Sequence, residues 1–504
     1  MLLFSGFATT ISEIYLNNKQ SIIGYHTRLK SKDSPFQYPL IPSETMPNSM
    51  KGPLAQKTIE LFSRPQKEWT TIDHMIYEHS DYYAIPDENI HDLRFTSIKE
   101  SLKHHYNNSR FYHQLCKEYE FSPKDVKTEK DFHLVPLLPD TFFKEYPREN
   151  PKAVFDWLKK ISTVDIGEYN YLGKDLQGFL RWAETRLEGL VNHSSGTTGH
   201  YSIMFRDKVT FQRFYYAAIT TLLSIPRKLE DDSHFVYPGS PNTFLTIGKW
   251  LGEGGKVFPP ERRHFLTERE LSMTIARLLS TGYAKSFKEK LILRGLKKAM
   301  VKGELKLLNL LETLDKKGEQ AIIISPPFQL FSLMLKMKQQ EITLSLGKTN
   351  SIVFTGGGWK IFEDRKVPID EFASLVEETL GIPKESYVDV YGMSEMNGLG
   401  ISCEGGFKHL HPWIYPMILD DQEGHLDFGK WGRFAFLDPI AHSYPGYIIT
   451  GDRVKLLKRC PVCNQTGFVL EGNISRMGGA ESKGCANLMR GLMAEELSKV
   501  QRVE

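Results

Sequence analysis

Residues 187–200 read LEGLVNHSSGTTGH. The leading LEGLV is apolar and strand-like, and the run after it brings two serines, two threonines and two glycines together. A core strand gains nothing from such a run, whereas a loop that wraps its backbone around an anion does. Glycines permit positive φ and close approach, main-chain N–H groups turn inward, and hydroxyls add donors. Ser194, Ser195, Gly196, Thr197, Thr198 and Gly199 are therefore candidate phosphate ligands, with a solvated linker as the plain alternative. A P-loop of the nucleotide-hydrolase type is set aside, because no Gly-Lys-Ser/Thr ending comes after it and the chain runs on as HYSIM.

Outward from this loop, short β-rich runs alternate with longer helical ones. HFVYP (234–238), AIIIS (321–325), SIVFTG (351–356) and YVDVYG (387–392) read as strands, while TIARLLST (274–281) and PIDEFASLVEETLG (368–381) carry helical periodicity. Such alternation predicts an α/β layered fold with a largely parallel central sheet that binds ligands at its strand ends. Residues 93–119 predict one or two helices, with Cys116 as core, and VPLLPDTFFKEYP (135–147) reads as a Pro-bounded connector. After about residue 430 the pattern becomes turn-rich β (GRFAFLDP, YPGYIITGD, GFVLEGN), which predicts a small β subdomain over 431–504 with a short tail. Residues 1–85 are punctuated by Pro and Ser and read as an N-terminal extension of unknown role.

Bulk composition narrows the class. The chain has 504 residues, 40% hydrophobic and 25% charged, with a formal net charge of +3, which argues against a dedicated nucleic-acid binder. Five cysteines in such a length suit a reducing cytosol better than a disulfide framework. The start, MLLFSGFATTISEIYLNN, has no basic leader, and no apolar run is long enough to span a bilayer, so a soluble cytoplasmic protein is expected. The stretch 285–306 is locally basic. It reads as a solvated helical face, because Glu289 and Glu304 break the run and Gly295 interrupts it.

Four further stretches carry chemistry in order. TGGGWK (355–360) comes directly after a strand, and Gly356, Gly357 and Gly358, with Trp359, would let a flat ring approach the backbone. YGMSE (391–395) offers Tyr391 for stacking, Gly392, the Ser394 hydroxyl, and Glu395 as a carboxylate suited to Mg²⁺. TGDR (450–453) places Asp452 at a strand end, where a carboxylate accepts two hydrogen bonds from a ribose diol. ISRMGGAESKG (474–484) supplies Arg476 beside a Gly-flanked turn. Taken singly, each has a plain structural reading: a tight turn at 355–360, a strand end with a surface glutamate at 391–395, an Asx-type turn at 450–453 and a hinge-like turn at 474–484.

As an ordered set over roughly residues 190–485, these motifs resemble the adenylate-forming enzyme superfamily. That resemblance implies a large α/β adenylation core over 86–430, ATP and Mg²⁺ as cofactors, and an acyl-AMP intermediate. With LPDTFFKEYPRE (138–149) and RMGGAESKGC (476–485), the chain is similar to the long-chain acyl-protein synthetases of bacterial bioluminescence and, more distantly, to phenylacetate–CoA ligases. The resemblance implies a fatty-acid substrate, a reductase that takes the acyl group, and Cys485 as the acyl acceptor. It also implies a truncated version of the mobile C-terminal domain, since few residues come after Cys485. A thiolate attacks an acyl-adenylate readily, and Lys483 beside Cys485 would favour its ionisation. The lysine that often succeeds SGTTGxP is absent, and Arg206 is the nearest cation to the phosphate loop.

Cys460 and Cys463 form CPVC, a zinc half-site, with Cys403 and either His409 or His411 as the other half; the phenylacetate–CoA ligase resemblance supports a structural zinc. AIIISPPFQLFSLML (321–335) is the candidate wall of an acyl tunnel, with ordinary core as the alternative. The reading is thus an acid–thiol ligase. Its rivals are a ligase acting on free coenzyme A, an amide-forming acyltransferase, and a non-catalytic scaffold on the same fold.

Overall fold

A computed structural model describes residues 52–147, 150–194, 201–224, 229, 231–359 and 366–477. All of them lie in one packing unit, Met46–Glu504. In chain order the strands are β1 (Leu138–Pro139), β2 (Leu190–His193), β3 (Ile203–Arg206), β4 (His234–Tyr237), β5 (Arg263–Phe265), β6 (Ala321–Ser325), β7 (Ile352–Gly356), β8 (Tyr387–Tyr391), β9 (Gly400–Ser402), β10 (Lys408–Leu410), β11 (Tyr415–Leu419), β12 (Trp431–Leu437), β13 (Tyr447–Leu457), β14 (Val469–Leu470) and β15 (Ser475–Arg476).

The four expected parallel strands form and adjoin in the order β4-β6-β7-β8, and β5, which the sequence reading did not expect, pairs in parallel with β4 at the edge. The ladder then turns antiparallel through β9, β10, β14, β13, β12 and β11. β6 and β7 read as continuous apolar runs because both their faces are covered. Ile322, Ile352 and Phe354 face a large cluster shared with the N-terminal helices. Ala321, Ile323 and Val353 face a second cluster with residues of helices Phe287–Lys317, Pro327–Gln339 and Ile369–Leu380. The alternation is that of a pleated strand.

Residues 93–119 lie in two helices, Asp87–Asn108 and Arg110–Glu118. Ser109 divides them, leaving helical dihedrals so that its side chain accepts from Tyr112 N. Cys116 is fully buried, as expected.

Neither expected division, at 85/86 or 430/431, is a packing boundary. Helix Pro53–Phe62 places Leu54, Ile59 and Phe62 in the large cluster, and Phe62 stacks on Tyr215 of helix Lys208–Ser224. β11 and β12 pair across 430. The segment 135–147 is more than a connector. β1 pairs in parallel with β13, Leu138 opposite Ile448 and Pro139 opposite Ile449, and this register carries Asp140 and Lys144 to the β13 strand that bears Asp452.

Candidate active site

A cavity of about 1120 Å³ opens at the ends of β7 and β8. Its polar mouth gathers Ser194, Gly356, Gly357, Gly392, Ser394, Glu395 and Arg476, which the sequence had marked. Gly357 and Gly358 have φ of +85° and +69°, so the turn after β7 requires residues without a Cβ. Asp452 and Arg476 face each other across the β13–β15 ladder, with Arg476 Nε 2.9 Å from Asp452 Oδ1. Tyr391 Oη donates to Asp452 Oδ2 at 2.7 Å. Burial pushes the Asp452 carboxyl up, against the pull of Arg476. Burial and the neighbouring Asp140 carboxylate push Glu395 up as well. Buried and beside a second carboxylate, Glu395 has the chemistry of a hard-cation ligand.

Two residues at the mouth escaped the sequence reading. Asp140 lies 3.3 Å from Arg476, and Lys144 lines the cavity where its charge acts on both Glu395 and Asp452. The stretch LPDTFFKEYPRE that holds them carried part of the resemblance, but no role was read for either residue, because β1–β13 pairing is what brings them to the site.

Other expectations need correction. Arg206 does not serve as the phosphate cation. Fully buried, it donates to Asn397 Oδ1 (2.6 Å), Asn192 Oδ1 (2.7 Å) and the Ser394 carbonyl (2.6 Å), among the rings of Phe214, Trp250 and Tyr444. It ties the strand before the serine loop to the loop that carries Glu395. Trp359 is buried against Phe331 and Phe372 rather than lining the cavity. Ser195, Gly196, Thr197, Thr198, Gly199 and Cys485 lie outside the described residues, as does the expected truncated domain.

Behind the mouth the lining turns apolar. It does not come from 321–335, of which only Ile324 contributes, because helix Pro327–Gln339 packs into the second cluster. The walls are Phe214, Ile219 and Leu222 of helix Lys208–Ser224 facing Ile247, Leu251 and Gly254 of helix Thr246–Gly254.

A second cluster lies on the antiparallel side. One ligand atom from each of Cys403, His409, Cys460 and Cys463 falls within 4.8 Å of the others. Cys403 and Cys460 sulfurs are 3.8 Å apart, and Cys463 Sγ is 3.2 Å from His409 Nε2. Two thiolates on a tetrahedral zinc at about 2.3 Å are separated by about 3.8 Å, so the donor set and spacing fit that ion. His411 drops out. Its Nε2 meets Thr221 Oγ1 at 2.8 Å, its Nδ1 accepts from Leu399 N at 3.2 Å, and burial lowers its pKa to about 3.

Comparison with known proteins agrees with this geometry. Residues 287–494 match the family described as acyl-protein synthetase, LuxE. The long-chain-fatty-acid–luciferin-component ligase of Vibrio harveyi is 23% identical over 358 residues, covering 70% of this chain and 77% of that protein. The ligase of the same name from Aliivibrio fischeri is 21% identical over 408 residues, covering 81% and 90%. The chain is thus similar to the LuxE acyl-protein synthetases. A crystal structure of 2-hydroxyisobutyryl-CoA ligase, in an open conformation with 2-HIB-AMP and CoA, superposes with a TM-score of 0.52 at 14% identity. It covers 80% of this chain and 78% of that one. The same ligase in its postadenylation state gives 0.52 at 13% identity, with 82% and 72% covered. At such identities the likeness establishes the fold, which is the mixed α/β architecture of adenylate-forming ligases, as the motifs implied.

Proposed function

We propose that the chain activates a long-chain carboxylic acid with ATP and transfers the acyl group to the thiol of Cys485. The observation that carries this reading is the cavity whose polar mouth, at Ser194, Glu395 and Arg476, the last of them paired with Asp452, continues into an apolar arm between helices Lys208–Ser224 and Thr246–Gly254. A carboxylate oxygen attacks the α-phosphorus, pyrophosphate leaves, and an acyl-adenylate forms. The Cys485 thiolate then attacks the acyl carbonyl carbon and AMP leaves, the thiol proton passing to solvent.

Asp452 accepts the ribose hydroxyls, held in place by Tyr391 and Arg476. The serine loop 194–199 cradles the phosphates, with the Gly356–Gly358 turn against the base. Lys144 takes the role left open by Arg206, drawing the reacting carboxylate toward the α-phosphate; preorganised charge of this kind lowers the barrier where anions converge. Glu395 would hold Mg²⁺, which when bound neutralises charge on the leaving pyrophosphate. Zinc on Cys403, His409, Cys460 and Cys463 would join the β9–β10 turn to the loop before β14, a structural part. The acyl-protein would be drained by a reductase, and cysteines kept out of disulfides, Cys116 buried and three as metal ligands, fit a cytoplasmic setting.

The test is intact-protein mass spectrometry after incubation with Mg·ATP and a panel of fatty acids, wild type against Cys485→Ser. A hydroxylamine-labile acyl adduct on the wild type, absent from the variant, is expected. AMP and pyrophosphate without an adduct would move the acceptor to an external thiol or amine.

A further inference from the structure

The helix Phe287–Lys317 begins as a projection. Over 287–300 none of the described side chains is fully buried, and a Cβ built at Gly295 would meet nothing within 4 Å. Phe287 is 75% exposed, Leu291 51% and Leu305 54%, and Tyr283, just before the helix, is 66% exposed. At 100° per residue Phe287, Leu291 and Leu305 fall within about 40° of one another, on the face opposite Leu307 and Leu311, which enter the core. By the same rule Arg294, Lys298 and Lys302 share this face, within about 20° of the apolar residues, and Lys288 and Lys306 lie about 60° to one side; all five are exposed, as are Lys285 and Lys290.

The two acidic residues that made the sequence read as a balanced solvated face do not offset these cations. Glu289 is paired with Arg277 at 2.6 Å, and Glu304 is buried, accepting from Ser332 Oγ and Lys336. The charge left outward is cationic, and it sits beside exposed apolar side chains.

We infer that this face docks the protein on an anionic lipid surface, with Phe287 and Leu291 entering the headgroup boundary and the lysines meeting lipid phosphates. Exposed aromatic and leucine side chains at the start of a helix whose same face carries lysines suit an interfacial contact, and lysines beside a bilayer are drawn by its negative potential. An acidic protein partner fits less well, since protein interfaces favour arginine and are depleted in lysine, whereas six of the seven exposed cations here are lysine. No helix among the described residues is long and apolar enough to cross a membrane, so the contact is peripheral. It is connected to the active site through one intervening helix. Helix Met273–Thr281, which holds Glu289 through Arg277, accepts at Met273 O from Tyr201 Oη, one residue before the cavity-lining Ser202. A long-chain acid partitions into bilayers, so docking there would bring the mouth of the site to its substrate.

Co-sedimentation of the full chain, without ATP or acid, with vesicles of phosphatidylcholine alone and with about 30 mol% phosphatidylglycerol tests this. Binding to the anionic vesicles only, weakened by salt, is expected. Phe287→Ser/Leu291→Ser and Lys288→Glu/Lys298→Glu/Lys302→Glu should each lower the partition constant about tenfold or more. Both should keep wild-type circular dichroism and wild-type pyrophosphate exchange with octanoate, a soluble acid. Equal binding to both vesicles, no binding at low salt, or wild-type binding by both variants overturns the inference. So does retention on immobilised polyglutamate without vesicle binding, which would assign the face to an acidic protein. Because the readout needs no turnover, it stands or falls separately from the acyl-transfer reading.

Discussion

Arg206, the cation nearest the phosphate loop in sequence, is a buried structural tie, whereas Lys144 lines the cavity, and a pair of substitutions separates the two roles. Arg206→Met removes three hydrogen bonds of 2.6–2.7 Å, leaving two side-chain amide oxygens and the Ser394 carbonyl buried without that donor. Hydrogen bonds from a charged donor contribute about 1.5–3 kcal/mol each, part of which is offset because the guanidinium no longer has to be desolvated. Stacking against Phe214, Trp250 and Tyr444 is lost too, and methionine replaces only its apolar share. The net destabilisation should be about 3–5 kcal/mol, a large part of the 5–15 kcal/mol typical of a folded chain. Lys144→Met removes a half-buried cation with no hydrogen-bonded partner among the described residues, so stability should move by no more than about 0.5 kcal/mol. Loss of one preorganised charge at the reacting phosphate should instead lower acid-dependent ATP–pyrophosphate exchange about 10²–10³-fold. Urea unfolding followed by tryptophan fluorescence gives the first quantity and the exchange assay the second. An Arg206→Met protein as stable as wild type, or a Lys144→Met protein that exchanges at the wild-type rate, would refute the assignment.

The apolar arm predicts chain-length control at Gly254. A Cβ there would sit 3.5 Å from Ile219 Cδ1 and 3.6 Å from the Tyr215 ring, ordinary contact, so Gly254→Ala should fold while narrowing the arm; competition assays should show long acids disfavoured against octanoate about tenfold, and an unchanged preference would place the chain elsewhere. Metal analysis of protein purified without chelators should find about one zinc per chain, lost in Cys463→Ser and Cys403→Ser with lowered stability, and retained in His411→Ala. Asp73 gives the acid dependence. Burial alone would raise its pKa, but the hydrogen bond and charge of Arg213, with Arg64, hold it well below the usual carboxylate range. A depressed folded pKa contributes stability that is present above about pH 3.9, the unfolded value, and is lost as pH falls toward the folded one. Asp73→Asn should therefore lose stability at pH 7 and show a flatter pH dependence below pH 4 in urea unfolding.

How much was legible in the sequence depends on how far each signal travels along the chain. The parallel strands announce themselves because both their faces are buried, so IIIS and IVF are apolar throughout, and the glycines after β7 are needed where φ is positive. Glu395 and Arg476 were found for a similar reason, since each follows or ends a strand within a short motif, and Asp452 was found through its TGDR motif although it lies inside β13 and not at the strand end expected for it. The failures share one physical cause: burial by a distant partner leaves no local mark. A Phe/Leu/Met run at helical spacing looks the same whether it lines a tunnel or fills the second cluster, and 327–339 does the latter. Trp359 beside three glycines looks like a stacking platform until Phe331 and Phe372 close on it. His409 and His411 are equivalent in spacing, yet the chain leaves β10 after Leu410 and turns through His411–Ile414, which sends one imidazole toward the thiols and the other toward Thr221. Charge obeys the same logic in both directions. Arg206 looked available because Asn397 and Ser394 are far along the chain, and the helix at 287 looked balanced because Arg277 and Lys336, which engage its glutamates, lie outside the basic run. In both places the net charge offered to a ligand is set by which ions the fold has already paired, and only the three-dimensional arrangement reveals that subtraction.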